Sequence, residues 1–103
     1  MADNLFDTTD PAGNRVRLTM TCYYGHIAIE HPDLQDIDDI EQSVRLPDII
    51  TEDSIDDNRM VYYRTYQRSL LRRMIKVVVE HEEVVTAYRV KRIKQGETAI
   101  WRR

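Results

Sequence analysis

Residues 59–90 read RMVYYRTYQRSLLRRMIKVVVEHEEVVTAYRV, and three strand-like runs stand out in them. Met60 to Tyr66 is rich in tyrosine, Met74 to Glu80 contains Val77-Val78-Val79, and Val84 to Lys91 alternates Val84, Thr86, Tyr88 and Val90 with Val85, Ala87, Arg89 and Lys91. Aromatic and β-branched residues in runs of this length favour the pleated, half-buried surface of a strand. His81-Glu82-Glu83 is short enough for a hairpin turn, so the second and third runs are expected to be antiparallel neighbours. Gln67 to Arg73, carrying Arg68, Arg72 and Arg73, reads as a loop between strands. Gln95-Gly96 marks a further turn before a last short strand near Ala99 to Trp101.

Upstream, Val16, Leu18, Met20 and Cys22 alternate with Arg17, Thr19, Thr21 and Tyr23, the period of two of a strand, which Gly25 closes. The period then changes. Leu34, Ile37, Ile40 and Val44 are spaced as one apolar stripe of a helix, with Asp33 and Asp36 in its first turns, Arg45 at its far end and Pro47 beyond. Residues 47–58 form a turn-rich connector in which Ile49 and Ile50 add a short extended piece. Residues 1–14 hold Asp3, Asp7, Asp10, Pro11 and Gly13 with little apolar content and read as a flexible arm. Residues 15–103 read as a single α+β domain, its N-terminal strand and helix packed on an antiparallel meander sheet of three to four strands.

The 103 residues, 42% of them hydrophobic, allow one modest core. No apolar stretch approaches the roughly 18 residues that span a bilayer, and no basic region followed by an apolar one opens the chain. A cytoplasmic location is the expectation, with no membrane involvement. Cys22 has no second cysteine to pair with and reads as a small buried hydrophobe. The net charge of −3 hides an asymmetry: residues 1–58 carry 3 Arg/Lys against 14 Asp/Glu, net −11, whereas residues 59–103 carry 12 against 4, net +8. Either a basic face meets phosphates, or the two halves neutralise each other within the fold or across a homodimer.

His26 and His31 lie in GHIAIEHP, at the expected junction of strand and helix. Histidine is the default proton donor or acceptor near neutral pH. Cleavage of RNA by its own 2′-hydroxyl needs one group to take that proton, another to protonate the leaving oxygen, and a cation near the non-bridging oxygens. It needs no metal or cofactor. His31-Pro32 equally suits a helix entry, with proline at the first helical position. His26, Glu30 and His31 do not match a zinc spacing, and Asp36, Asp38, Asp39 and Glu41 look like a solvated helix face. The basic half supplies Arg59, Tyr62, Tyr63, Arg64, Tyr66, Thr86, Tyr88, Arg89, Lys91 and Arg92. Arginine grips phosphate and tyrosine stacks on unpaired bases, a combination suited to single-stranded RNA; the same tyrosines also suit cross-strand packing. Serine-nucleophile, phosphate-loop and dinucleotide fingerprints are absent.

In order, GHIAIEHPDL, the helix ending in VRLPDII, RMVYYRTY, and MIKVVVEHEEVVTAYRVKRIKQGETAIW resemble the phage and mobile-element-associated nuclease domains of the barnase, EndoU, colicin and RelE-like superfamily. The likeness covers about residues 23–101. It departs at Arg45-Leu46-Pro47-Asp48-Ile49, where a residue is inserted before the proline, and in the acidic overall charge. The resemblance implies a barnase/RelE-like fold and a metal-independent endoribonuclease of a phage, plasmid or toxin–antitoxin type system, with RNA as substrate and an antitoxin or other protein as partner. It implies His26 or His31 as the acid/base, Arg64 as the phosphate ligand, and Thr86 with Tyr88 near the scissile phosphate. Arg59, Tyr63, Arg89, Lys91 and Arg92 are then expected to bind RNA. Two alternatives stay open: a non-catalytic RNA- or protein-binding module, and a homodimer whose acidic and basic halves pair between subunits.

Overall fold

The computed structural model describes residues 3–32, 34, 36–53, 58–66 and 73–103. Seven strands form one curled, half-barrel sheet: β1 (Asn4–Thr9), β2 (Arg15–Thr19), β3 (Ile49–Glu52), β4 (Arg59–Tyr66), β5 (Arg73–Glu80), β6 (Glu83–Val90) and β7 (Thr98–Arg102). Their order in the sheet is β1-β2-β6-β5-β4-β3-β7. All neighbours are antiparallel except β2 and β6, which run parallel and pair at Arg17 and Glu83. Strands hold 49% of the described residues and helix 22%. This corrects the expected α+β arrangement of a helix on three to four strands, and with it the barnase/RelE-like architecture.

The extra strands come from segments whose local signals are weak. Residues 4–9, expected in a flexible arm, form β1 because Phe6 is buried and the turn that follows is tied from within. Asp10 Oδ1 accepts the N–H groups of Ala12 and Asn14 at 2.9 and 2.8 Å, and Gly13 takes the positive φ of 94° that closes the turn. Tyr62 Oη donates to Asp10 Oδ2 at 2.6 Å, which fastens β1–β2 to the central β4. At the opposite edge, Ile50 of β3 lies across from Trp101 of β7; Ile50 belongs to the main core and the half-buried Trp101 packs against it.

The strand expected from Val16 to Cys22 stops at Thr19. Thr19 Oγ1 accepts the Cys22 N–H at 3.1 Å, an N-cap that starts a helix instead. Residues 20–30 are helical throughout, α-helical over Met20–Cys22 and Ala28–Glu30 and π-helical over Tyr23–Ile27. His26 therefore sits inside this first helix and His31 at its C-terminal cap, with Pro32 in the turn beyond rather than opening the next helix. That second helix spans Ile37–Arg45, capped by Asp36 Oδ1, which accepts the Asp38 N–H at 2.9 Å. Asp33 and residues 67–72, which include Arg68 and Arg72, lie outside the described residues; Arg73 begins β5.

The sheet has two unlike faces. One packs Leu18, Tyr62, Ile75, Val77, Val79, Val84 and Ala87 against Tyr23 and Ile27 of the first helix and Ile40 and Val44 of the second. The other carries a smaller apolar group, Ile49, Val61, Tyr63 and Val78, partly covered by Ile93 and Ala99 from the C-terminal segment. Among the described residues no helix is long and apolar enough to cross a membrane.

Candidate functional site

The second face holds the polar side chains that converge. On β5, Lys76 pairs with Tyr63 of β4 and with Tyr88 of β6, so the three side chains share this face. The register of β5 and β6 shifts next to them: Val78 pairs with Thr86 but Val79 pairs with Val84, passing over Val85. Such a bulge breaks the strict alternation of β6 and turns Thr86 and Tyr88 to the face opposite Val84. β6 pairs with β2 at only one position, which leaves room for the first helix to bring His26 over the edge of β6. His26 Nε2 lies 3.0 Å from Thr86 Oγ1, and its Nδ1 lies 3.0 Å from Glu30 Oε2.

His31 completes the histidine pair. Its ring meets His26 edge to face at 5.8 Å between centroids and stacks on Tyr88 at 5.2 Å and 26°. The Lys76 ammonium stands 5.6 Å from the Tyr88 ring centre and 5.5 Å from that of Tyr63. A cavity of about 290 Å³ opens here, floored by Val61, Lys76, Val78, Thr86 and Tyr88 and walled by His26, Asp53, Arg59, Lys94 and Glu97. Four of the residues singled out in the sequence, His26, His31, Thr86 and Tyr88, thus meet at one place.

Buried electrostatics hold the floor. Glu97 Oε1 accepts the hydroxyls of Thr51 and Tyr63, each at 2.7 Å, and Glu97 Oε2 lies 3.5 Å from Lys76 Nζ. The Glu97 side chain is 2% exposed and that of Lys76 8%, so the pair is shielded from screening by water. Burial works against the Lys76 ammonium, but the surrounding Tyr63, Tyr88 and Glu97 outweigh it and hold its pKa above the ordinary value. Burial, then the bond to Glu97, push the Tyr63 phenol up to about 12.

Arg64 is not part of this group. It pairs with Ile75, and Ile75 with Arg89, which puts both arginines on the helix-bearing face, where Arg89 lies 5.1 Å from the Tyr66 ring centre. Arg64 as phosphate ligand is therefore separated from Thr86 and Tyr88 by the thickness of the sheet. Tyr63 is fully buried and cannot stack on a base. Arg59 lines the cavity and bonds Glu80 at 3.2 Å, while Lys91 and Arg92 are exposed at the end of β6. Cys22, expected as a buried strand residue, is half-buried and on a helix: its Sγ donates to the Val84 carbonyl at 3.0 Å, and burial raises its thiol pKa.

Sequence reading missed Lys76 and Glu97. The signal for Lys76 was present, a lone charge between Ile75 and Val77 in an otherwise apolar run. Glu97 follows a turn and carries no such mark. Comparison with protein-family models, curated proteins and solved structures found no match.

Proposed function

We propose that this protein is an endoribonuclease that cuts single-stranded RNA by attack of a 2′-hydroxyl on the adjacent phosphorus. The observation that carries the reading is the approach of His26 Nε2 to Thr86 Oγ1 at the mouth of a cavity floored by Lys76. Glu30 accepts the Nδ1 proton of His26, which leaves the Nε2 lone pair to accept the Thr86 hydroxyl; this is the tautomer a general base requires once the 2′-hydroxyl takes the place of that hydroxyl. His26 takes the 2′-hydroxyl proton, the oxygen bonds to phosphorus, and the 5′-oxygen departs with a proton from the neighbouring His31. The products are a 2′,3′-cyclic phosphate and a 5′-hydroxyl. Lys76, with Arg59 and Lys94 on the walls, supplies the positive charge that steadies the non-bridging oxygens, the role first given to Arg64. The proposal extends to the class that the sequence resemblance implies, a toxin-like enzyme working on cytoplasmic RNA and restrained by a protein partner, although the fold is not the one that resemblance implies.

The test is incubation of the purified chain with single-stranded RNA in EDTA. Cleavage is expected to end in cyclic phosphate, to stop on RNA with a 2′-deoxy scissile nucleotide, and to fall about 10²–10⁴-fold in His26→Ala. Equal inertness of the wild type and His26→Ala would overturn the reading. A second reading, an RNA-binding module without catalysis, draws on the internal neutralisation of Lys76 by Glu97. Its mark is salt-dependent RNA binding with no cut product.

A further inference from the structure

Five residues of regular α-helix would set two side chains about 140° apart, so His26 and His31 would not share a face. The backbone departs from that winding. In the π-helical Tyr23–Ile27 stretch the Ala28 N–H bonds to the Tyr23 carbonyl five residues back, and His31 leaves the helix with φ −129° and ψ 62°. One potential ligand atom from each of His26, Glu30 and His31 lies within 4.8 Å of the other two. Tetrahedral zinc, with bonds of about 2.0–2.2 Å, spaces its ligand atoms roughly 3.3 Å apart. His26 Nδ1 and Glu30 Oε2, at 3.0 Å, already stand close to that spacing. Glu30 is exposed and His31 only half-buried, so their side chains can close the remaining distance by rotation.

We propose that His26, Glu30 and His31 form a binding site for a zinc-like divalent cation, and that filling it shuts off cleavage. Two imidazoles and one carboxylate are a donor set that zinc takes, with a fourth position left for water. A histidine ligand characteristically donates its other ring N–H to an outer partner, and Thr86 Oγ1, 3.0 Å from His26 Nε2, stands in that place. The inhibitory half rests on the nuclease reading. Metal at Nδ1 displaces the proton that Glu30 holds there, the imidazole carries its proton on Nε2 instead, and the lone pair that served as base is gone.

The experiment is calorimetric titration of the EDTA-treated, dialysed full chain with Zn²⁺, paired with the visible absorption of Co²⁺ at the same site and with RNA cleavage at each metal concentration. Binding of one ion per chain is expected. Glu30→Gln and His31→Ala should each weaken it by at least about tenfold, and Thr86→Val by about tenfold. His81→Asn, a histidine away from the cluster, should bind as the wild type does. Melting in EDTA shows that each variant is folded. The site is overturned by the absence of stoichiometric binding, or by binding that Glu30→Gln and His31→Ala leave intact. Zinc binding as expected in a chain that does not cut RNA sustains the site and overturns the nuclease reading alone. Cleavage that persists with the site filled overturns the inhibitory half.

Discussion

Lys76 occupies a position where an apolar side chain would pack, and its neighbours explain why a charge survives there. Glu97 faces it at 3.5 Å, and two aromatic rings flank the ammonium. A buried pair of this kind is expensive to break and cheap to remove whole, because the cost lies in the charge left unpaired. Lys76→Met should therefore lower stability by about 3 kcal/mol, and adding Glu97→Gln should return it to within about 1 kcal/mol of the wild type, both measured by urea unfolding. Cleavage should stay low in the double variant. Recovery of activity alongside stability would assign Lys76 a purely structural part. The same residue shows how a site escapes a linear reading: Lys76 is visible as an oddity in MIKVVVE, but its partner Glu97 lies 21 residues on, just past a turn.

At the scale of elements, the hairpin of β5 and β6 was legible from its runs and its short link, and the link is built under strain. His81 and Glu82 both adopt left-handed backbone, with φ of 52° and 66°, the pair of positive angles that a two-residue hairpin turn with the right twist requires. Neither histidine nor glutamate adopts that region as readily as asparagine or glycine does. His81→Asn with Glu82→Gly should raise stability by about 1 kcal/mol, a gain of roughly 4 °C or more in melting temperature. A thermal scan that shows no gain would mean that the flanking ladder, rather than the turn, limits this hairpin. The first helix was the least legible element. Its alternation from Val16 to Cys22 continues past the point where the Thr19 cap takes over, and neither the π-helical stretch that holds His26 nor the exit from the helix at His31 leaves a periodic trace. The second helix was legible from Ile37 onward because the stripe of Ile37, Ile40 and Val44 faces the core, but its start was placed too early: Leu34 precedes it and Asp36 is its N-cap.

For the whole molecule, the groups most displaced from ordinary titration tie strands of the sheet together. Burial followed by the bond to Asp10 raises the Tyr62 phenol, Tyr63 is pushed up to about 12, and Lys76 also lies above its ordinary value. In each case the protonated form is favoured in the folded state. The stability they contribute is thus fully present below the unfolded-state values, near 10 for the phenols, and is lost as pH rises through the folded-state ones. The protein should lose stability steeply between pH 10 and about 12, and Tyr63→Phe should flatten that limb. Unfolding free energies measured across this window in both proteins check it; parallel curves would sink the assignment. The sequence alone determined the strands β4, β5 and β6, the second helix, and His26, His31, Thr86 and Tyr88 as residues of chemical interest, because side-chain period and residue type are local properties. Only the tertiary structure decided that β1, β2 and β3 join the same sheet and bring it to seven strands, that Arg64 lies across the sheet from Thr86, and that Lys76 lines one cavity with His26. Period states which side chains within one strand share a face. Which faces of different strands coincide depends on register, and the bulge at Val85 is enough to reassign them in β6.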